Sequence, residues 1–128
     1  TYTEDDIFKI PAYSLERSQR YTRPMDSGLY MSIGPNAQQT ALAELTITHL
    51  DSHIVGTTTI RPERVLDLTN DSVVSHFRLN QDMLRRTPNE MVEAYTLPQV
   101  LGNLAKKNGF DAIIYPSARL DEGKNILL

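Results

Sequence analysis

The chain has 128 residues, of which 40% are hydrophobic, enough to bury the core of one compact domain but not of two. Its 13 basic and 16 acidic residues leave a net charge of -3, so it lacks the positive field of a protein that binds nucleic acid directly. It contains no cysteine, which excludes disulfides, cysteine-ligated zinc and thiol catalysis. These features predict a single domain whose chemistry depends on oxygen and nitrogen side chains.

The sequence has no run of about 18 apolar residues that could cross a membrane, and its first residues are polar and acidic. We therefore expect a cytoplasmic protein with no membrane partner. Because the numbering begins at Thr1 rather than at a methionine, we also expect a fragment or a trimmed product, with residues missing upstream.

The first two thirds of the chain mix strand and helix signals. Short apolar runs bounded by proline or glycine predict strands over residues 7–10 and 29–33. Helical spacing of apolar residues predicts a helix over residues 36–46. Further along, residues 64–68 suit a strand, while residues 70–95 suggest short helical pieces.

The clearest element is a helix over residues 97–107, which Thr96 can cap and which Gly109 can end in a left-handed conformation. Residues 110–115 then predict a buried strand, and residues 125–128 a last one. Four apolar residues spaced i, i+3, i+4 and i+7 form the helix stripe expected to face the core: Leu97, Val100, Leu101 and Leu104. The mixture of helices and strands predicts an α/β or α+β fold.

Glu44 is the first candidate for a functional side chain. On a helical projection it falls on the same side as Ala37 and Ala41, beside Leu45. A carboxylate at the edge of a buried stripe is expected in a shallow, partly dry pocket, where it can hold a ribose hydroxyl or stabilise a developing positive charge. The same pattern also fits an ordinary helix glutamate with no such role.

Ser117 follows a predicted buried strand directly, in the segment YPSAR. The carboxyl ends of such strands are where open sheets place ligand-binding groups. No glycines flank this serine as they do in a nucleophile elbow, so we expect a binding role rather than a nucleophile. The alternative is a turn serine between two strands.

Arg17, Arg20 and Arg23 fall within seven residues, in a stretch too broken by other signals for a regular helix. Arginines on a loop suit a diphosphate, because the guanidinium group matches the geometry of phosphate oxygens. The alternative is a solvated basic loop.

His49, Asp51 and His53 raise the question of a metal site, since histidines at i and i+4 can share a helix face. No third ligand stands nearby in a recognisable pattern, and we therefore predict no metal.

Three blocks of sequence occur in the order of a known family. They are GLYMS with TALAE (28–32 and 40–44), VLDLT (65–69) and GFDAIIYPSAR (109–119), which Gly123 and Asn125 continue. On these blocks, and across nearly its whole length, the chain resembles the RES-domain family, named for an arginine, a glutamate and a serine. The third block is the most specific and TALAE the next.

The resemblance implies a fold and an activity. The fold would be α/β (α+β), similar to the ADP-ribosyltransferase superfamily, with a split β-sheet and flanking helices in one domain over residues 1–128. The activity would be that of a toxin that cleaves the nicotinamide–ribose bond of NAD, its substrate, and transfers ADP-ribose to a target protein. The partner would be an Xre-like antitoxin, in a hetero-oligomer with the toxin.

The resemblance also implies roles for individual residues. Glu44 would be the catalytic glutamate, Tyr30 an aromatic wall against nicotinamide, and Ser117 a polar contact near the nicotinamide ribose. Arg20 lies ten residues before Tyr30, which is the spacing expected for the family's arginine ahead of this block, and it would bind phosphate. These residues together form the expected catalytic set.

The chain departs from the family pattern at two places. The flanks of Arg20 differ from the family's, so Arg17 or Arg23 could take its role, and Arg23 joins the expected NAD-binding set. Lys9 stands where the family has an early strand arginine and is expected to bind NAD as well. Lysine keeps the charge but loses the bidentate geometry, which leaves the acceptor of ADP-ribose open.

Three functions therefore remain in view. The first is an enzyme that transfers ADP-ribose to a protein, and the second is a phosphorylase or glycohydrolase that depletes NAD. The third is a catalytically silent domain that retains the fold to bind a partner.

Overall fold

The computed structural model describes residues 28–44, 55–85 and 96–128. The predicted strand over residues 7–10 lies outside them. In chain order the elements are β1 (Tyr30–Ile33), α1 (Ala37–Glu44), β2 (Val65–Asp67), α2 (Asp71–His76), α3 (Gln81–Arg85), α4 (Thr96–Lys107), β3 (Ala112–Pro116) and β4 (Lys124–Leu127).

The four strands form one mixed sheet in the order β1-β4-β3-β2. Strands β2 and β3 are parallel, whereas β4 pairs antiparallel with β3 on one side and with β1 on the other. Thus β4, which follows the other strands in the chain, lies between two of them. A mixed sheet with helices confirms the predicted α/β class.

The hydrophobic core lies between one face of the sheet and helices α2, α3 and α4. Side chains alternate between the two faces of a strand, so Ile113 and Tyr115 of β3 point to the same face, as does the register partner Leu127 of β4. The buried cluster consists of Leu68, Val74, Leu84, Leu101, Ala105, Ile113, Tyr115 and Leu127. The opposite face of the sheet also contributes buried residues, Ala112 of β3 and Ile126 of β4.

The middle of the chain contains the short helices that its sequence suggested. Asn70 caps α2, because its Oδ1 accepts hydrogen bonds from the backbone N–H groups of Ser72 and Val73. Residues 86–95, which belong to the same prediction, lie outside the described residues. Among the helices that the structure describes, none is long and apolar enough to cross a membrane.

Helix α4 is rotated relative to its predicted orientation. Val100 and Leu104 were expected in the buried stripe, but they are 41% and 48% exposed. The side chains that pack into the core are instead Leu97, Leu101 and Ala105, four residues apart. The prediction of the helix is confirmed, whereas half of its predicted buried stripe is wrong. Periodicity alone did not show that Ala105, rather than the larger Leu104, is buried.

The boundaries of β3 also differ from the predicted 110–115. Phe110 belongs to the turn that caps the C-terminus of α4, because its N–H donates to the carbonyl of Ala105. Gly109 in this turn has the predicted left-handed conformation at φ 78°. Pro116 belongs to the strand, opposite Lys124 of β4. The proline is tolerated there because β2, the neighbour on the other side, ends its pairing with β3 at Ile114.

Candidate active site

Four polar side chains form a continuous hydrogen-bonded chain. Ser117 Oγ donates to Glu44 Oε1 over 2.6 Å, and Asn125 Nδ2 donates to the same oxygen over 2.8 Å. Ser32 Oγ in turn donates to Asn125 Oδ1 over 2.7 Å. We call Ser32, Glu44, Ser117 and Asn125 the carboxylate network.

The strand order of the sheet brings these residues together. Glu44 is the last described residue of α1, and Ser117 follows β3 directly. Asn125 in β4 is the register partner of Ser32 in β1, so the two side chains lie on one face of adjacent strands. Because β4 lies between β1 and β3, its Asn125 bridges the strand that precedes α1 and the strand that precedes Ser117.

The hydroxyl of Ser117 uses all of its hydrogen-bonding capacity. It donates its single proton to Glu44 and accepts from the backbone N–H groups of Arg119 and Leu120, at 3.1 and 3.2 Å. The Ser117 N–H also donates to the Gly123 carbonyl over 2.9 Å, which closes the loop between β3 and β4. A hydroxyl with both lone pairs engaged is poorly placed to attack a substrate, and any direct contact with a ligand has to replace one of these bonds.

Helix α1 is held against this loop by an unusually close contact. Thr40 is fully buried, and its Oγ1 donates to the Asn36 carbonyl over 2.8 Å. A Cβ atom at Gly123 would lie only 2.7 Å from Thr40 Oγ1, so glycine is needed for the helix and the loop to approach this closely. The contact places the end of α1, and with it Glu44, beside Ser117.

Among the described residues, uncharged side chains donate hydrogen bonds to one oxygen of the Glu44 carboxylate. Both hydrogen bonds end on Oε1, and within residues 28–44, 55–85 and 96–128 no side chain donates to Oε2 and no cation pairs with the carboxylate. The expected partly dry pocket needs correction, because Glu44 itself is exposed. The buried part of the site consists of the two side chains that donate to Glu44, because Ser117 and Asn125 are only 2% and 3% exposed.

Tyr30 lies next to the network on β1. It lies two positions before Ser32, so the two side chains share a face of the sheet. Its ring contacts the ring of Tyr115 edge-on, with centroids 6.4 Å apart and an interplanar angle of 82°. The ring is partly buried against the core. Its role as a wall for nicotinamide stays a prediction.

The family of the chain is shown by its match to a family model. A model of the RES domain matches residues 9–128 of this sequence. The chain belongs to the RES-domain family. RES domains are associated with NAD-related toxin function, and membership indicates an enzyme that uses NAD. A comparison with curated proteins found no match.

Two members of the carboxylate network, Ser32 and Asn125, belong to the quoted blocks of this RES domain but were not predicted as site residues. Ser32 is a lone polar residue between Met31 and Ile33, and Asn125 directly precedes the apolar residues Ile126 and Leu127 in β4. A polar side chain in a buried strand has to be hydrogen-bonded, and that is the signal that could have found them.

Other predicted positions of the RES domain lie outside the described residues. These are Lys9, Arg17, Arg20 and Arg23, and the histidine and aspartate positions considered for a metal, His49, Asp51 and His53. Among the residues that the structure does describe, no three histidine or acidic side chains are grouped so that they could hold a metal ion.

Proposed function

We propose that this RES domain cleaves the nicotinamide–ribose bond of NAD and transfers ADP-ribose to a target protein. The observation that carries the proposal is the arrangement of Glu44, whose Oε1 is fixed by two donors while Oε2 accepts from no described side chain. A fixed carboxylate with one oxygen that no described side chain occupies is suited to hold a ribose hydroxyl.

The chemistry of the bond explains why such a carboxylate is useful. Cleavage leaves the bonding electron pair on the nicotinamide nitrogen, which becomes neutral, and the ribose carbon takes up positive charge. The reaction therefore needs little acid at the leaving group, but it needs negative charge near the sugar and a fixed substrate. An acceptor nucleophile then bonds to the ribose carbon and loses a proton.

Each predicted residue has a part in this scheme. Glu44 Oε2 accepts a ribose hydroxyl and its charge stabilises the cationic sugar, since no described cation neutralises it. Ser117 and Asn125 hold Oε1. Tyr30 contacts nicotinamide, in keeping with its position two residues from Ser32 on β1. The positive charges of Lys9, Arg20 and Arg23 bind the diphosphate.

Hydrolysis or phosphorolysis of NAD is the second candidate, and one observation favours it. Because Glu44 is exposed, water or phosphate can reach the same side of the ribose as the carboxylate. In that case the product is free ADP-ribose or its phosphate, and the cell loses NAD. A catalytically silent domain that binds a partner is the third candidate, and it leaves NAD intact.

The same proposal includes a partner and a compartment. The enzyme acts in the cytoplasm, where NAD is present, as the toxin of a pair with an Xre-like antitoxin. Expression of the chain should arrest growth, and co-expression of the antitoxin should restore it and yield a stable hetero-oligomer by size-exclusion chromatography. Growth arrest that persists in a Glu44→Gln variant would separate toxicity from NAD cleavage.

Mass spectrometry of the products tests the reaction. The protein is incubated with NAD alone, with NAD and phosphate, and with NAD and cell lysate. Labelled protein in the lysate supports the first candidate, and free ADP-ribose or its phosphate supports the second. Intact NAD in all three incubations, with a correctly folded protein, refutes both enzymatic candidates.

A further inference from the structure

We infer that Asn125, itself oriented by Ser32, is a positioning residue that fixes the Glu44 carboxylate for catalysis. The inference rests on the proposed function, which supplies the reaction, and adds two residues to its machinery. It begins from a buried amide in a strand whose next two residues are buried and apolar. Asn125 is 3% exposed, and Ile126 and Leu127 follow it in β4.

Burial makes the hydrogen bonds of this amide obligatory. A buried amide without partners is strongly unfavourable, so both of its ends have to be satisfied within the protein. The Nδ2 end donates to Glu44 and the Oδ1 end accepts from Ser32. An apolar residue would fill this strand position without any such requirement, so the asparagine points to a role beyond packing.

The chemistry of the partners fixes which way the amide faces. An ionised carboxylate only accepts hydrogen bonds, so Asn125 has to present its NH₂ group to Glu44. The reverse orientation would set Oδ1 against a carboxylate oxygen. The hydroxyl of Ser32 donates to Oδ1 and thereby stabilises the productive orientation. Ser32 thus acts on Glu44 through Asn125, across two strands.

Two donors on one oxygen constrain the carboxylate more than one donor can. Ser117 approaches Oε1 from the end of β3 and Asn125 approaches it from β4. With Ser117 alone, the carboxylate could still turn about that single contact. The second donor removes this freedom and leaves Oε2 as the oxygen presented to substrate. Correct placement to within about 1 Å is worth roughly 100-fold in rate.

Replacement of Asn125 by its isostere is the most direct test. Asn125→Asp keeps the shape and the bond from Ser32, and in its ionised form it replaces the donor to Glu44 with an acceptor. We expect kcat for NAD cleavage to fall about 100-fold with KM changed less than about threefold, because the lost function is the placement of charge in the transition state. Asn70→Asp is the matched control, since the cap of α2 functions equally well with aspartate.

Replacement of Ser32 tests the hydrogen bond from Ser32 to Asn125, and it keeps the inference testable if Asn125→Asp does not fold. Ser32→Ala should lower kcat about threefold to tenfold, the usual value of one net hydrogen bond. Ser32→Thr keeps the hydroxyl and suits a strand, and it should restore kcat to within about twofold of the parent. A purely structural role for Ser32 would lower the melting temperature without this loss and rescue of kcat.

The Asn125 side-chain amide resonances provide a readout that does not depend on activity. In Glu44→Gln the amide proton bonded to Oε1 should move upfield, since its acceptor loses its charge. If the parent cleaves NAD and Asn125→Asp retains the rate of Asn70→Asp, the inference is overturned while the proposed function stands. If the parent leaves NAD intact, the proposed function fails, and the resonances alone decide whether Asn125 holds Glu44. Resonances unmoved by Glu44→Gln would then overturn the inference as well.

Discussion

Glu44→Gln is the substitution that most sharply separates a catalytic role from a structural one. Glutamine has nearly the same shape, and its Oε1 can still accept from Ser117 and Asn125. The new NH₂ group replaces Oε2, which accepts from no described side chain. The change therefore removes the charge and leaves the geometry of the site in place.

The expected effects on stability and on rate differ in size. Charge-assisted hydrogen bonds are about twice as strong as neutral ones, but this carboxylate is exposed, so solvent screens much of the difference. We expect a loss of no more than about 1 kcal/mol in the free energy of unfolding, a few degrees in melting temperature. The barrier to NAD cleavage should rise by about 2.7–4 kcal/mol, which is roughly 100- to 1000-fold in rate.

The assay measures nicotinamide release by chromatography, with melting temperature measured on the same preparations. Glu63→Gln is the matched control, because it makes the same chemical change at an exposed glutamate that lies just before β2. The control should cleave NAD at the parent rate. A folded Glu44→Gln protein that also cleaves at the parent rate would refute the assignment of Glu44 as the catalytic carboxylate.

Three other changes have defined outcomes. Ser117→Ala removes a donor to Glu44 and the acceptor of two backbone N–H groups in the next loop. Calorimetry should show that the free energy of unfolding falls by about 1–3 kcal/mol, and the cleavage rate should fall up to about 100-fold. An unchanged melting temperature would contradict the loop contacts. Gly123→Ala should destabilise the protein by about 1–3 kcal/mol, and adding Thr40→Ala should recover part of this loss. Strictly additive effects of the two substitutions would show that the two positions do not touch. Arg20→Ala should raise KM for NAD about tenfold or more, and the same rise in Arg23→Ala alone would show that Arg23 grips the phosphate instead.

Local patterns in the sequence were sufficient to predict most of the described elements. The helix over residues 97–107 had a cap, a stripe and a glycine stop, and it is present as α4 with Gly109 at a positive φ. Its buried face was predicted less well, because the period of a helix does not say which of two adjacent apolar residues meets the sheet. Leu104 and Ala105 are such a pair, and the smaller one is buried.

The candidate site was predicted in part. Glu44 and Ser117 were both chosen from local signals and family blocks, and the structure joins them across a sequence separation of 73 residues. Ser32 and Asn125 depend on the register of β1 with β4, which is a pairing of distant strands that no local pattern specifies. The placement of α1 likewise depends on the close approach of Thr40 to Gly123, which is a tertiary contact.

The central place of β4 in the sheet has a consequence for how the protein is made. The amino end of a chain leaves the ribosome first, and β4 follows β1, β2 and β3 in the sequence. Until β4 emerges, β1 has no partner among the described strands and Glu44 lacks its asparagine donor. Pairings over such long sequence separations form slowly. A nascent chain therefore holds Glu44 without its asparagine donor until β4 has paired with β1, and an activity that needs this donor begins only then.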